Sequence, residues 1–192
     1  MEGPELRILE AAIAVIEEFG FKNVTIRRIA AKAGVNIAAI NYYFRTKELL
    51  MDKVLDMTIE NALDWGELAH TENLPPREML LAVMDHLSQG AQNYPETTRA
   101  YFFEPMVNGN NDTRAVREIN SFMDALCRKL IHNGCRMNEK DLRRSVAQIF
   151  MAGYFYAGVT PNVFGVFLGL DLTKDSERRK FLNQMVDRLI DV

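Results

Sequence analysis

Residues 25–50 read Thr25-Ile-Arg-Arg-Ile-Ala-Ala-Lys-Ala-Gly34-Val-Asn-Ile-Ala-Ala-Ile40-Asn-Tyr-Tyr-Phe44-Arg-Thr-Lys-Glu-Leu-Leu50, and the pattern within them decides the fold. Thr25 stands where an N-cap belongs, its hydroxyl able to satisfy a free amide of the next turn. Ile26, Ile29, Ala30 and Ala33 recur at helical spacing and give that helix an inward face, with Arg27, Arg28 and Lys32 off it. Gly34 is suited to end the helix, Val35 to plug the turn, and Asn36 to cap the helix that follows. On that next helix Ile37, Ile40 and Phe44 share a stripe expected in the core, with Ala38, Asn41, Tyr42 and Arg45 on the opposite side. Thr46 is the N-cap of a longer helix. Short helix, glycine turn, short helix is the frame of a helix-turn-helix.

Charge singles out the same stretch. Six basic residues (Lys22, Arg27, Arg28, Lys32, Arg45, Lys47) and no acidic one fall between Lys22 and Lys47, in a chain whose net charge is −3. A local cationic excess inside an acidic chain has the form of a phosphate-backbone footprint. Charge alone would describe a solvated basic surface equally well; the helix-turn-helix frame is what favours the footprint. Ala38 and Ala39 leave a low relief that permits close approach to a groove floor, and Asn41 and Tyr42 supply hydrogen-bonding groups. Tyr42 and Tyr43 could equally be half-buried aromatics of the core.

Outward from this stretch every segment reads as helix. Upstream, residues 6–19 place Leu6, Leu9, Ala12, Ile13, Ile16 and Phe19 on one stripe, with Arg7, Glu10, Glu17 and Glu18 off it and Gly20 as the stop. Downstream, the helix from Thr46 extends toward His70, and Asn73-Leu-Pro-Pro76 breaks the chain. Helical patterns follow over residues 77–93, 95–107 (interrupted by Pro105), 113–133, 138–159 and 176–190, with an irregular apolar connector over 160–169. No strand or internal repeat stands out, so the fold class is all-α.

Composition excludes several classes. A 48% hydrophobic and 26% charged chain of 192 residues is ordinary for a globular protein. No apolar run reaches the ~20 residues of a membrane span; residues 149–170 are broken by Gly153, Gly158, Pro161, Asn162, Gly165 and Gly169. The N-terminus is acidic and lacks the basic-then-apolar layout of a signal peptide, which makes the cytoplasm the expected compartment. Cys127 and Cys135 fit no ligand motif and read as reduced, structural thiols, a redox switch being the alternative. His70, His86 and His132 are scattered, and there is no glycine-rich phosphate loop, no GxSxG elbow and no metal-ligand spacing. No catalytic residue, metal or cofactor is therefore expected, and the chain does not read as an enzyme.

The residues Ile8-Leu-Glu-Ala-Ala12, Phe19-Gly-Phe21, Val24-Thr-Ile-Arg-Arg-Ile-Ala-Ala-Lys-Ala-Gly-Val35, Ile40-Asn-Tyr-Tyr-Phe44 and Thr46-Lys-Glu-Leu-Leu50, with the spacing between them, resemble the DNA-binding domain of the TetR/AcrR family of bacterial transcriptional regulators. The resemblance implies a three-helix helix-turn-helix domain over residues 1–50 joined to a larger helical effector-binding and dimerisation domain over 51–192, about nine helices in all. It further implies that Thr25 and Lys47 contact phosphate with help from Thr46 or Tyr42. Arg27, with Arg28 beside it, reaches a base edge or phosphate, and Ala38, Ala39, Asn41 and Tyr43 face the groove. Two positions depart from the family pattern: Asn41 stands where Tyr is frequent, and Tyr43 where His is frequent. The first removes a phenol that often holds phosphate and supplies an amide able to bind adenine in bidentate fashion.

The function so implied is a homodimeric DNA-binding regulator, a repressor of a palindromic operator on double-stranded DNA, released by a small, largely apolar effector. Candidate walls for the effector are Met57, Trp65, Met84, Leu87, Phe102, Phe103, Met106, Phe122, Met123 and Tyr154, since Met and aromatic side chains suit adaptable apolar ligands; at helical spacing the same residues also read as plain core. Candidate dimer contacts are Phe150, Gly153, Ala157, Met185 and Leu189, on the last two long helices. The alternative is a helical protein of the same architecture acting mainly through protein partners, with DNA binding for targeting only.

Overall fold

The computed structural model describes residues 3–190; the first two residues of the acidic N-terminus lie outside it. Among the described residues there are ten α-helices and no strand. α1 (Pro4–Phe19) begins on a proline, whose missing N–H is no loss in a first turn. It stops at Gly20, which takes φ 78° while its N–H bonds Ile16 O at 2.8 Å. Its buried face is Ile8, Leu9, Ala11, Ala12, Val15 and Ile16. Phe19, expected on that stripe, is instead 37% exposed, with the Arg28 guanidinium over its ring.

α2 (Ile26–Ala33) and α3 (Ile37–Phe44) form where the local chemistry places them. Thr25 Oγ1 accepts the Arg28 N–H at 3.3 Å, and Asn36 Oδ1 accepts the Ala39 N–H at 2.8 Å. Gly34 occupies the left-handed region (φ 65°, ψ 35°) that a side chain would strain, which lets the Val35 N–H return to Ala30 O at 3.0 Å. Ile29, Ala30, Ile40 and Phe44 close on Ile8, Leu9, Ala12, Val15 and Ile16 as one core. Ile37, expected with them, is 41% exposed: it sits in the first turn of α3, where no neighbouring helix covers the stripe.

α4 (Lys47–Ala62) adds Leu50, Met51 and Val54 to that core. It ends short of His70, because Asp64 folds back to accept the Gly66 N–H at 2.8 Å and replaces the next helical turn by a tight one. A short 3-10 turn, Ala69–Thr71, precedes α5 (Pro76–Asn93). α6 (Pro95–Phe103) runs into a π-helical turn, Glu104–Asn108, that accommodates Pro105. α7 (Arg114–His132) is followed by α8 (Glu139–Phe150), capped by Asn138, whose Oδ1 accepts the Asp141 N–H at 3.0 Å. A π-helical continuation (Met151–Val159), a one-turn α9 (Gly165–Leu168) and α10 (Asp175–Leu189) complete the chain. No described helix is long and apolar enough to cross a membrane.

The chain divides into two compact units: residues up to Asn61 with Tyr94–Val116, and Ala62–Asn93 with the residues from Arg117 onward. These differ from a split at residue 50. The first part of α4, α6 and the start of α7 pack with the N-terminal helices: Arg114 pairs with Asp56 and Glu60 on α4, and the N-terminus of α6 is held by α1. In the second unit the core is α5 (Met79, Leu80, Val83, Met84, Leu87) against the π-helical segment and α10. There a Cβ on Gly158 would stand 2.8 Å from the Ala91 Cβ, so glycine is what permits the approach. The Ser88 hydroxyl lies 2.9 Å from Gly153 O, and Gln92 Nε2 donates to Ala157 O and, at 2.8 Å, to Leu172 O. Side chains of α5 thus reach carbonyls of the π-helical segment and of the loop before α10.

Candidate nucleic-acid interface

The outward surface of the helix-turn-helix begins at Thr25 and runs along α3 to Lys47. Ala38, Asn41, Tyr42 and Tyr43 are exposed, and Ala39 is half-buried. Tyr42 is 81% exposed and its ring meets that of Tyr43 edge-on at 5.2 Å, so the core alternative fails for Tyr42. Thr46 caps α4, its Oγ1 accepting the Leu49 N–H at 3.2 Å. That bond orients α4 so that Lys47 opens it.

The six basic residues separate into two groups. Arg28 donates from Nη1 to Asn23 O at 2.6 Å and lies 4.1 Å over the Phe19 ring. Lys32 pairs with Glu18 at 3.1 Å, and the Lys22 ammonium sits 4.7 Å over the Phe103 ring. These three are engaged in joining α2 and the turn at Phe21–Asn23 to α1 and α6. Arg28, expected at the DNA surface, is thereby placed in an intramolecular contact. It lies about 100° around α2 from Arg27. Among the described residues Arg27, Arg45 and Lys47 have no ion-pair or hydrogen-bonded side-chain partner; Arg27 and Arg45 are exposed and Lys47 is half-buried.

Sequence reasoning also passed over Glu17, which read only as a residue off the apolar stripe. Its carboxylate caps α6 from the side. It accepts the N–H of Glu96 at 3.0 Å, the N–H of Thr97 at 2.8 Å and the Thr97 hydroxyl at 2.6 Å. Tyr94, at the N-cap position, makes no capping bond of its own. Beside this joint lies an open concavity of about 500 Å³ whose lining includes Glu18, Phe19, Lys22, Arg99 and Phe103.

The candidate effector walls fall in both units. Met57, Phe102, Phe103 and Met106 belong to the first, and Trp65, Met84, Leu87, Phe122, Met123 and Tyr154 to the second. In the second unit Trp65 stacks on Phe122 at 4.6 Å under the Lys129 ammonium, and Tyr154 stacks on Phe150 at 4.9 Å. A concavity of about 350 Å³ in that unit is lined by other residues, including His70, Asp85, His86 and Arg179. Met106 is exposed and lines neither.

Of the candidate dimer contacts, Phe150, Gly153 and Ala157 are buried within their own chain. A Cβ on Gly153 would lie 2.8 Å from Leu182 Cδ2 of α10, so the close approach it permits is intramolecular. Met185 and Leu189 are half-buried. The apolar surface left open in this unit includes instead Ile131, Met151, Tyr156, Val163, Phe164, Val166 and Phe167. Both cysteines are buried and unpaired, and no cluster of three or more potential metal ligands occurs among the described residues.

Comparison with known proteins agrees with this geometry. Residues 8–54 match the family described as bacterial regulatory proteins, tetR family. The chain is 29% identical over 117 residues to the probable HTH-type transcriptional regulator YttP of Bacillus subtilis, covering 60% of this chain and 55% of that one. It thus spans about half the length of that curated relative. Among solved structures, a transcriptional regulator from Rhodococcus sp. superposes with a TM-score of 0.71 at 19% identity, over 98% of this chain and 96% of that one. The regulator FadR of Bacillus subtilis, in complex with stearoyl-CoA, does so with a TM-score of 0.65 at 21% identity, over 97% of each chain. At these identities the structural matches establish the shared all-helical fold.

Proposed function

Starting from a chain that belongs to the TetR family of bacterial regulatory proteins, we propose that it is a homodimeric, sequence-specific DNA-binding regulator. It acts in the cytoplasm as a repressor of a palindromic operator and is released by a small, largely apolar effector. The observation that carries the DNA-binding reading is the exposed edge of the helix-turn-helix. Unpartnered cations at Arg27 and Lys47 flank a recognition helix whose outward side is Ala38, Asn41, Tyr42 and Tyr43. Thr25, Thr46, Arg27 and Lys47 would fix the duplex through phosphates, while Asn41 and the tyrosines read base edges in the major groove. One such module contacts a half-site. Two, about 34–36 Å apart in a two-fold dimer, contact successive major grooves.

Support for the dimer comes from the exposed apolar run Val163, Phe164, Val166 and Phe167, with Val166 fully exposed; surface of this kind marks an association site. Met185 and Leu189, half-buried on α10, are retained as candidates. Support for an apolar effector comes from the Met and aromatic side chains of the second unit and from the acyl-CoA bound by the FadR relative. A ligand of that class couples to DNA affinity by stabilising one arrangement of the chain, typically by about 1–3 kcal/mol.

The test is retardation of the DNA upstream of the protein's own gene. Wild type is expected to bind and to lose affinity steeply with added salt. Arg27→Ala and Lys47→Ala are expected to weaken binding without lowering thermal stability. No retardation at low salt and micromolar dimer would overturn the autoregulatory form of the proposal. Unchanged binding by both variants would overturn the proposed surface.

A further inference from the structure

Of the three cations in the basic stretch that have no side-chain partner among the described residues, Arg45 is the one that the sequence resemblance assigns no role. It occupies the single position between the last residue of α3 and the N-cap of α4. Its N–H still closes the last turn of α3 on Asn41 O at 3.0 Å, while one residue later Thr46 already caps α4. One residue therefore has to reverse the chain. It does so with φ 63° and ψ −54°, and the Thr46 N–H reaches back across it to Phe44 O at 2.7 Å. This is a γ-turn in its rare, strained, positive-φ form. Among the described residues Arg45 is the only non-glycine with positive φ. Glycine would take this conformation at no steric cost. A long cationic side chain on a strained turn, exposed and two residues from Lys47, points to a use for that side chain.

Building on the DNA-binding reading above, we infer that Arg45 is a phosphate contact of this interface, its guanidinium held out by the γ-turn that joins the recognition helix to α4. A guanidinium binds a phosphate through two parallel N–H···O bonds, which a lysine cannot reproduce in geometry but does match in charge. The competing role is structural: a cation at the C-terminus of α3 offsets the negative end of the helix dipole. The two roles differ in what they do to the salt dependence of DNA binding.

The experiment titrates full-length wild type, Arg45→Ala, Arg45→Gly, Arg45→Lys and Lys47→Ala against an arbitrary fluorescent duplex over a salt series, with a thermal melt of each. Each phosphate contact contributes about 0.9 to the slope of log affinity against log salt, or about 3.5-fold in affinity across a fourfold change in salt. Arg45→Ala and Arg45→Gly are expected to lose that increment per protomer, and Arg45→Lys to keep it. Arg45→Gly, relieved of the turn's strain, is expected to melt no lower than wild type, so that its loss of slope cannot come from unfolding. An unchanged slope in Arg45→Ala, beside a reduced one in Lys47→Ala, would overturn the inference and leave the DNA-binding reading standing. An equal loss in Arg45→Lys and Arg45→Ala would also overturn it, since charge would then not be what matters. No binding of wild type even at low salt would overturn both.

Discussion

The most exacting prediction concerns Glu17, whose carboxylate closes the N-terminus of α6. Replacing it by alanine leaves two first-turn amides without partners. The Thr97 N–H belongs to a residue that is 1% exposed, so water cannot take the carboxylate's place there. An orphaned buried donor costs about 1–3 kcal/mol, and loss of a helix N-cap about 0.5–2 kcal/mol. Glu96 is half-buried and recovers part of its loss from solvent, so the total is about 3 kcal/mol. For a chain of this size each kcal/mol moves the melting temperature by about 2–4 °C, giving a fall of about 6–12 °C. Glu18→Ala is the matched control: Glu18 pairs with Lys32 at 3.1 Å, both half-exposed, and such a surface pair contributes at most about 1 kcal/mol. Calorimetry of the two variants decides the matter, and amide exchange at Glu96 and Thr97 localises it. Equal melting temperatures for Glu17→Ala and Glu18→Ala would refute the capping argument.

Three other outcomes follow from single contacts. Gly158→Ala should destabilise by about 1–3 kcal/mol, because the new methyl would meet the Ala91 Cβ at 2.8 Å and the Ser88 backbone at 3.2 Å; Gly153→Ala, whose one close contact is the movable end of Leu182, should cost less in the same denaturant titration. Asp52, though exposed, is raised above its ordinary value by partial desolvation, then by the neighbouring Asp56 and Glu48 carboxylates, so its ionisation opposes folding at neutral pH. Asp52→Asn should therefore raise the melting temperature at neutral pH, and the gain should vanish as pH falls through the raised value to below the unfolded one. A gain that persisted in acid would refute that cause. Phe167→Asp should leave the helical content unchanged, since Phe167 is 87% exposed within its own chain, yet shift sedimentation toward the monomer and weaken operator binding; an unchanged dimer would move the interface elsewhere.

What was legible in the sequence was whatever a residue does to its near neighbours. Thr25, Asn36 and Thr46 each bond an amide three residues on, and Gly34 turns the chain at its own φ. Such chemistry is complete within one turn, and the helix-turn-helix is built almost wholly from it. Contacts across long sequence separation were not legible. Glu17 reaches a helix that begins nearly eighty residues later, and Ser88 and Gln92 meet carbonyls 65 residues away. Small residues such as Gly153 and Gly158 announce a close approach without saying to what, and the partner proved to be α10 and α5 of the same chain. The exposed Ile37 shows the converse limit: helical periodicity marks a stripe, and only the neighbours decide how far along the helix it is covered.

The same distinction bears on how the basic stretch should behave toward DNA. Counted from the sequence, six cations per protomer would give a dimer a salt slope of about −11, at 0.9 for each neutralised phosphate. The structure engages Lys22, Arg28 and Lys32 with Phe103, Asn23, Phe19 and Glu18. Arg27, Arg45 and Lys47 remain, which gives a slope of about −5. Freeing Arg28 would break a short bond to the Asn23 carbonyl and remove the guanidinium from the Phe19 ring, a cost set against the attraction of one further phosphate. A measured slope near −5, reduced stepwise by alanine at each of the three and unmoved by Arg28→Ala, would follow from that division of roles. A slope near −11 would mean that the engaged cations leave their partners when DNA arrives, and that α2 changes its seat on α1 in doing so.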